Sequence, residues 1–195
     1  MSKPSFNFED RIVVVAGGGG GGIGTATVRL LAEVGATVVA VDVSQESLDR
    51  FIAPLMELGL PIIPCMANVE REEGVAGVME IVRATPGTLH GLVTVVGGAR
   101  AAQWKSALEV SRADWQALQS WNLTSMFFMT QAVAAELRAQ GRPGSLVAVS
   151  SISGVGAAPF HVSYGAAKAA ILSLVRSLAL ELAETGIRIN AIAPG

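Results

Sequence analysis

The feature that most constrains the fold of this chain is a run of glycines with a fixed place in the sequence. Residues 17–24 contain seven glycines, preceded by the β-branched segment Arg11–Ala16 and followed by Ile23–Val34, which has helical spacing and ends at Gly35. Glycines between a buried strand and a helix let an anion approach the unpaired N–H groups of the helix start. A flexible linker is the alternative, but a linker does not lie between a strand and a helix. The pattern therefore predicts a phosphate-binding turn.

Segments typical of strands and helices alternate along the whole chain with short breaks between them, which indicates repeated βαβ units. The predicted strands are Arg11–Ala16, Thr37–Val41, Pro61–Met66, Gly91–Val96, Gly144–Ser150 and Ile187–Ile192. The helices after the first are predicted from Ser44 to Leu58, Glu70 to Ala84, Ser111 to Gln140 and His161 to Glu184. Six strands joined by crossover helices predict an α/β fold with a Rossmann-type, doubly wound parallel sheet, in a single domain over residues 1–195.

Composition excludes several other classes of protein. The chain is 51% apolar with a net charge of −2, so it is not disordered, and it has no basic stripe for a nucleic acid. No segment has the pattern of a membrane helix or a signal peptide. Cys65 is the only cysteine and the two histidines, His90 and His161, are widely separated, which argues against a disulfide and a metal site. We expect a cytoplasmic protein with no metal, nucleic-acid or membrane partner.

Asp42 ends the second predicted strand, 18 residues beyond Gly24. An acid at this place in a dinucleotide-binding fold accepts hydrogen bonds from the adenosine ribose hydroxyls. It also repels the 2′-phosphate of NADP, and no arginine follows at Val43 or Ser44 to offset that repulsion. A turn aspartate without a ligand is the alternative. The sequence predicts NAD as the cofactor, in preference to NADP.

Tyr164 and Lys168 are four residues apart and therefore lie on one face of the last predicted helix. A nearby ammonium favours the phenolate form of a tyrosine, which makes the phenol a better acid and base. Ser151 closes the fifth strand and is placed to hold a substrate oxygen. A tyrosine and a lysine meet at this spacing by chance in many helices. The order of glycine turn, strand-end acid, strand-end serine and this pair is much less common.

In this order and spacing the motifs resemble the short-chain dehydrogenase/reductase family over essentially the whole chain. Ser151, thirteen residues before Tyr164, matches the family's catalytic serine. Asn122 matches its helix asparagine, which is implied to hold a water molecule that links Lys168 to solvent. The resemblance implies that the catalytic residues are Ser151, Tyr164, Lys168 and Asn122. It implies cofactor contacts at Gly18, Gly22, Ile23, Gly24, Asp42, Asn68, Val69, Gly97, Tyr164, Lys168, Pro194 and Gly195.

The chain departs from the family pattern at four places. Gly17 replaces a threonine whose hydroxyl braces the glycine turn, and Thr94-Val95-Val96-Gly97 replaces the family's NNAG. Asn68-Val69 replaces an Asp-Val pair that contacts adenine. The sequence stops at Gly195, so we expect a C-terminally truncated member, without the substrate-covering segment and the last strand.

We expect an NAD(H)-dependent oxidoreductase that interconverts a secondary alcohol and a ketone. Two alternatives stay open: a 3-oxoacyl-carrier-protein reductase-like enzyme that uses NADPH, and a dinucleotide-binding scaffold without turnover. Apart from Arg100 and Gln103, the expected pocket-lining segments 98–103 and 154–160 are small or apolar, which predicts a small hydrophobic alcohol or ketone as the substrate. His161 is interpreted as a loop or pocket-wall residue.

The two long helices carry a surplus of apolar side chains, which favours a homodimer or homotetramer. These side chains are Met126, Phe127, Phe128 and Met129 on the first helix, and Ile171, Val175, Leu178 and Leu182 on the second.

Overall fold

The computed structural model describes residues 6–195. The six strands belong to one parallel sheet with the order β3-β2-β1-β4-β5-β6, as predicted for a doubly wound fold. The strands are β1 (Arg11–Ala16), β2 (Thr37–Asp42), β3 (Ile62–Met66), β4 (Thr88–Thr94), β5 (Gly144–Val149) and β6 (Ile187–Ile192). The α-helices are α1 (Ile23–Glu33), α2 (Gln45–Phe51), α3 (Ala53–Glu57), α4 (Glu72–Ala84), α5 (Arg112–Gln119), α6 (Ser125–Ala139) and α7 (Val162–Glu181).

The chain divides into two compact units, of which the first ends at Val95 and the second comprises Val96–Gly195. The assignment of residues 1–195 to a single domain stays a prediction. Each unit is described by itself.

In the first unit β1 is paired on both sides. Its Val14 is aligned with Val39 of β2 and with Leu92 of β4, both in parallel register. Five consecutive residues of β1 are buried, because helices cover both faces of such a strand. On one face alternate residues of β1 and β2 pack against α1 and α2. That cluster consists of Val13, Val15, Val28, Ala32, Ala36, Val38, Ala40, Leu48, Ile52 and Ile62. Each valine in it contributes about 1.5–3 kcal/mol relative to an exposed one.

The helix predicted from Ser44 to Leu58 is broken into two. Its start is correct, because the Ser44 hydroxyl accepts a hydrogen bond from Ser47 N at 3.2 Å. The helix stops at Phe51, and α3 begins at Ala53 with a proline in its first turn. Proline has no N–H to donate to the preceding turn, so the regular hydrogen-bond ladder ends there.

Strand β4 begins three residues before, and ends two residues before, the predicted Gly91–Val96. It begins at Thr88, whose N–H donates to Asp10 O at 2.7 Å. Apolar residues continue past the end of β4, but the extended backbone conformation does not. Gly97 and Gly98 have φ angles of +131° and +147°, which turn the chain out of the extended conformation.

The second unit contains the parallel pair β5 and β6, with Leu146 aligned with Ile189. The long helix predicted from Ser111 to Gln140 has the expected capping box, in which the Ser111 hydroxyl accepts from Asp114 N at 3.1 Å. It is interrupted, however, by one π-helical turn at Ser120–Thr124 between α5 and α6. A π-helical turn alters the direction in which its side chains point, and such turns are frequent at functional sites.

The apolar surplus on α6 and α7 is smaller than the sequence indicates. Met126, Met129 and Ile171 are fully buried and Val175 is nearly so, whereas Phe128 is 45% exposed. No helix among the described residues is both long and apolar enough to cross a membrane.

Candidate active site

The glycine turn of the first unit is held by backbone hydrogen bonds. The N–H groups of Gly17 and Gly18 both donate to Val41 O, at 2.9 Å each. Gly17 has a φ angle of +86°, a conformation that glycine adopts without strain. The turn is therefore anchored where β2 ends.

A threonine side chain braces the same turn from within α1. The Thr25 hydroxyl donates to Gly18 O at 2.7 Å and accepts from Gly21 N at 3.0 Å. The replacement of the family's threonine by Gly17 implied that this turn lacks a hydroxyl brace. The structure shows that Thr25 supplies one from the other end of the turn.

The three glycines carried over from the resemblance have different surroundings. A Cβ atom on Gly18 would lie 3.0 Å from the Val28 side chain, and one on Gly24 would collide with Gly17 O. A Cβ atom on Gly22 would meet nothing within 4 Å. Gly18 and Gly24 therefore permit close packing, while Gly22 leaves the approach to the helix open.

The first turn of α1 fits the pyrophosphate of a dinucleotide. The helix begins at Ile23, and no side chain of the described residues caps it. Uncapped N–H groups at a helix start, with glycines beside them, attract and accommodate a phosphate. The contact predicted at Ile23 is thus one to a backbone amide.

The Asp42 carboxylate lies against the glycine turn. Its Oδ1 accepts a hydrogen bond from Ser44 N at 3.0 Å. A Cβ atom on Gly19 would lie 3.0 Å from its Oδ2, so the second carboxylate oxygen points along the turn. The Asp42 carboxylate and the glycine turn therefore lie side by side.

Asn68 and Val69 follow β3 at the same edge of the sheet. The preceding Ala67 N donates to Asp42 O at 2.9 Å, which keeps this segment next to the end of β2. Asn68 Oδ1 accepts from Glu70 N at 3.0 Å, and Val69 is buried. The adenine contact expected of this pair stays a prediction.

In the second unit the Lys168 side chain is buried, with 3% of its surface exposed. Its Nζ donates to Val149 O at 2.9 Å, and its own carbonyl accepts from Ser150 Oγ at 2.7 Å. Two hydrogen bonds therefore join the end of β5 to α7 at this residue. Burial disfavours the ammonium and lowers the pKa of Lys168 to about 8.

Tyr164 lies one helical turn before Lys168, on the same face of α7. The Lys168 Nζ is 5.5 Å from the centre of the Tyr164 ring. An ammonium at this distance interacts favourably with an aromatic ring, and more strongly when it is desolvated. The predicted pair is thus adjacent in the structure.

Ser151 caps a short 3₁₀ turn, Ile152–Gly154, and its hydroxyl accepts from Ser153 N at 3.1 Å. The turn packs on α7 so closely that a Cβ atom on Gly154 would lie 2.5 Å from the Lys168 carbonyl carbon. The adjacent Ile152 N donates to Pro194 O at 2.9 Å. Contacts on both sides therefore hold the strand-end serine and place Pro194-Gly195 beside it.

Asn122 is fully buried in the π-helical turn. Its Oδ1 accepts from Gly98 N at 2.8 Å, and its Nδ2 donates to Gly98 O at 2.9 Å and to Leu118 O at 3.1 Å. The amide side chain thus holds the backbone of the loop that follows β4 by hydrogen bonds. The water relay implied by the resemblance stays a prediction.

Gly97 lies next to both the Asn122 and the Lys168 side chains. A Cβ atom on Gly97 would collide with Asn122 Oδ1 and would lie 3.2 Å from Lys168 Nζ. Only glycine permits this approach, and its positive φ angle requires the same residue. The structure therefore brings Gly97, Asn122, Lys168 and Tyr164 close together.

Three residues with a part in the site were not selected from the sequence. Thr25 had a detectable signal, since it follows Gly24 in the first helical turn. Ser150 does not have the thirteen-residue spacing to Tyr164 that selects Ser151, and its role as a donor to the Lys168 carbonyl depends on the packing of β5 against α7. Gly98 had no signal of its own, because its contact with Asn122 spans 24 residues.

Among the described residues, no cluster of three or more His, Cys, Asp or Glu side chains is placed to hold a metal ion. The candidate residues of the first unit offer backbone amides and a carboxylate, and those of the second unit offer a phenol, an ammonium, a hydroxyl and a carboxamide. Such a set binds phosphates and hydroxyl groups and transfers protons.

Comparison with known proteins agrees with this geometry. The chain is 36% identical over 173 residues to a 3-oxoacyl-[acyl-carrier-protein] reductase of Thermotoga maritima, covering 89% of this chain and 69% of that protein. It is 38% identical over 189 residues to a cis-4-hydroxycyclohexanecarboxylate dehydrogenase of Sinomonas cyclohexanicum, covering 96% and 74%. The chain thus spans about two thirds to three quarters of the length of these relatives.

The crystal structure of an NAD+-bound xylitol dehydrogenase superposes with a TM-score of 0.90 at 31% identity, covering 97% of this chain and 72% of that one. The family model described as short chain dehydrogenase matches residues 11–195, which include the glycine turn and all four candidate catalytic residues. The chain therefore belongs to the short-chain dehydrogenase family of oxidoreductases.

Proposed function

We propose that this chain carries the active site of an NAD-preferring oxidoreductase that interconverts a secondary alcohol and a ketone. The observation that carries the proposal is the buried ammonium of Lys168, fixed by the Val149 carbonyl and lying 5.5 Å from the centre of the Tyr164 ring. Burying a cation is unfavourable, and buried cations are usually paired or hydrogen-bonded. Here the burial holds an ammonium beside a phenol, which is the arrangement that the proposed chemistry needs.

In this proposal Tyr164 is the general acid and base. The positive charge of Lys168 favours the phenolate, so that the phenol releases its proton to a ketone oxygen or accepts one from an alcohol. With a pKa of about 8, Lys168 is mostly charged at neutral pH. Ser151 orients the substrate oxygen by a hydrogen bond, and Asn122 keeps the loop at Gly97 and Gly98 in contact with Lys168.

NAD, when bound, supplies or accepts the hydride. Its pyrophosphate would be held by the turn at Gly18–Gly24, whose open approach at Gly22 and uncapped helix start fit an anion. Asp42 would accept hydrogen bonds from the adenosine ribose, and Asn68 would contact the adenine. Gly97, Pro194 and Gly195, together with Tyr164 and Lys168, would contact the nicotinamide and its ribose.

The preference for NAD over NADP rests on the Asp42 carboxylate, which repels a 2′-phosphate. Asp42→Asn removes this charge, and we expect it to lower the ratio of NADH to NADPH affinity by about fivefold to tenfold. The ratio is measured by titrating both cofactors. Asp49→Asn is the matched control, since Asp49 lies exposed on α2 and its carboxylate accepts a hydrogen bond from Gln45 Nε2 at 2.7 Å. Equal affinities in the unmodified chain would contradict the assignment of NAD.

The second candidate function is reduction of a 3-oxoacyl thioester with NADPH. It is favoured by the similarity to the Thermotoga maritima reductase. The cofactor titration distinguishes it from the first candidate, because NADPH would then bind more tightly than NADH. A non-catalytic scaffold is a third candidate, favoured by the altered segment Thr94–Val96.

The proposed acid and base role is tested with Tyr164→Phe. This variant keeps the ring and loses the hydroxyl, so we expect roughly a thousandfold loss of turnover with NADH binding almost unchanged. Turnover is followed by NADH absorbance with NAD and a panel of small apolar secondary alcohols, and binding by cofactor fluorescence. The neighbouring Ser163→Ala is the control, because it removes a buried hydroxyl that has no partner among the described residues. Undiminished turnover in Tyr164→Phe would exclude the mechanism, and a chain that binds NADH without any turnover would favour the scaffold.

We propose a small hydrophobic alcohol or ketone as substrate. Several apolar side chains of the second unit are exposed at strand ends or in loops. They are Trp104, Ile152, Val155, Phe160 and Ile192. Apolar surface of this kind favours a substrate with little charge.

We also propose a homodimer or homotetramer in the cytoplasm. A groove of about 660 Å³ between α6 and α7 is lined by Phe127, Ala134 and Leu178, and the neighbouring Phe128 and Leu180 are exposed. Self-association would cover this surface. Light scattering of the purified chain measures its mass in solution.

A further inference from the structure

Three rings lie in contact at the start of α7. The imidazole of His161 stacks on the Tyr164 ring, with centroids 4.8 Å apart and planes 27° from parallel. It also contacts the indole of Trp104, with centroids 4.0 Å apart and planes at 38°. His161 is the N-cap residue of α7, three residues before Tyr164. We call Trp104, His161 and Tyr164 the aromatic stack.

The backbone next to the stack fixes it at two points. Lys105, which follows Trp104, donates its N–H to Phe160 O at 3.0 Å, and Phe160 directly precedes His161. The Lys105 ammonium is in turn 3.0 Å from the Asp114 carboxylate on α5. Phe160 has a φ angle of +60°, unusual for a bulky residue, so the surrounding contacts must hold this turn. The stack is therefore a built feature and not a chance contact of loose side chains.

The imidazole contributes an aromatic surface and no hydrogen bond that the structure records. Its Nε2 is buried and has no partner among the described residues. Burial lowers the pKa of His161, so the ring is neutral at physiological pH. A neutral imidazole stacks on a phenol without placing a charge beside it.

We propose that His161 is a positioning residue, which fixes the plane of the Tyr164 ring by stacking and holds Trp104 as an aromatic wall for the substrate. The inference rests on the proposed function, since it assigns a purpose to the orientation of Tyr164. The ring is confined by His161 and by the Lys168 ammonium, 5.5 Å from its centre. Trp104 is 59% exposed, so most of its indole is available to another molecule.

Confinement of the ring determines where the phenol hydroxyl lies. A displacement of about 1 Å in a reacting group lowers a rate by as much as a hundredfold. A ring that is free to tilt about its Cα–Cβ bond moves its hydroxyl by a comparable distance. Loss of the stack should therefore lower kcat, whereas loss of the exposed wall should raise KM.

Two substitutions at His161 separate stacking from hydrogen bonding. His161→Ala removes the ring, and we expect kcat to fall by about tenfold with KM changed by less than about threefold. His161→Phe keeps a stacking ring without nitrogen, and we expect it to restore kcat to within about threefold of the unmodified chain. Trp104→Ala should raise KM by about tenfold and change kcat less. His90→Ala is the matched control, since His90 is the other histidine and contacts Arg11 and Phe8.

A spectroscopic measurement tests the stack without any turnover. Tyr164 is the only tyrosine in the chain, so ring-labelled tyrosine gives NMR signals from this residue alone. In His161→Ala these signals should lose the ring-current shift of the imidazole and show faster ring flipping. In His161→Phe an aromatic ring-current shift and slow flipping should persist.

Three outcomes would overturn the inference. The first is an unchanged Tyr164 spectrum in His161→Ala, and the second is an unchanged kcat in that variant. The third is a loss of kcat in His161→Phe as large as in His161→Ala, since it would show that a ring nitrogen acts. Each differs from failure of the proposed function, which would show as full turnover in Tyr164→Phe.

Discussion

The glycine turn of the first unit and the tyrosine site of the second are built in opposite ways. The turn works through what its residues lack: at Gly18, Gly22 and Gly24 a missing Cβ atom permits close packing or leaves an anion's approach open. The tyrosine site works through its side chains, with a buried ammonium, a buried carboxamide and a phenol collected from different elements. A backbone site is therefore sensitive to an atom added at a close contact, and a side-chain site to the loss of a particular functional group.

The largest expected effect on stability is at the glycine turn. Gly24→Ala places a methyl group against the Gly17 carbonyl oxygen, and we expect the free energy of unfolding to fall by about 3 kcal/mol. NADH binding should weaken with it, because the turn must shift. Denaturant unfolding and cofactor titration measure the two effects.

Gly20→Ala is the control for that substitution. Its Cβ atom would meet only Gly17 O, at 4.0 Å, so the expected change in unfolding free energy is below about 0.5 kcal/mol. Equal destabilisation of both variants would show that glycine content, and not the close contact at Gly24, decides the stability of the turn.

The next effect has the opposite sign and belongs to the tyrosine site. Lys168→Met removes a buried cation whose pKa is lowered from 10.5 to about 8. Relief of that desolvation contributes about 3 kcal/mol, and loss of the hydrogen bond to Val149 O costs about 1 kcal/mol. We expect a variant that is about 2 kcal/mol more stable at neutral pH and has lost its turnover.

This gain should depend on pH in a defined direction. Between about pH 8 and 10.5 the unfolded chain binds a proton at Lys168 that the folded chain has released, so stability rises with pH through this range. The advantage of Lys168→Met is full below about pH 8 and disappears towards pH 10.5. Burial raises the pKa of Cys65, so the contribution of this thiol to stability falls as the pH rises. Because the thiol is present in both proteins, the unmodified chain and Lys168→Met are compared at each pH. A difference that is independent of pH would contradict a desolvated ammonium.

The smallest expected effect sharpens the comparison, because it removes a side chain from the backbone site. Thr25→Val loses the hydrogen bonds to Gly18 O and from Gly21 N, and we expect a loss of about 1–2 kcal/mol in the free energy of unfolding. Thr27→Val is its matched control on the same helix, where the hydroxyl donates only to the Ile23 carbonyl of its own helix. A Thr25→Val variant as stable as Thr27→Val would show that the turn needs no brace.

Much of the fold was predictable from local patterns. Strands β1 and β6 have the predicted bounds, and the helix starts at Ser44 and Ser111 have the predicted caps. The errors occur where a neighbour overrides the pattern. Strand β4 begins at Thr88 because Asp10 O accepts its N–H, and the π-helical turn at Ser120–Thr124 had no signal in the spacing of apolar residues.

The sequence by itself determined the order of the motifs: a glycine turn after the first strand, an acid after the second, and a serine, a tyrosine and a lysine at fixed spacing. These follow from spacing along single elements, which the periodicity of helices and strands fixes locally. Only the tertiary structure decided that Asn122 grips Gly98, that Val149 and Ser150 hold Lys168, and that His161 stacks on Tyr164 and Trp104. Most of these contacts join distant parts of the chain, and all of them depend on how packed helices and strand ends meet, which no local pattern encodes.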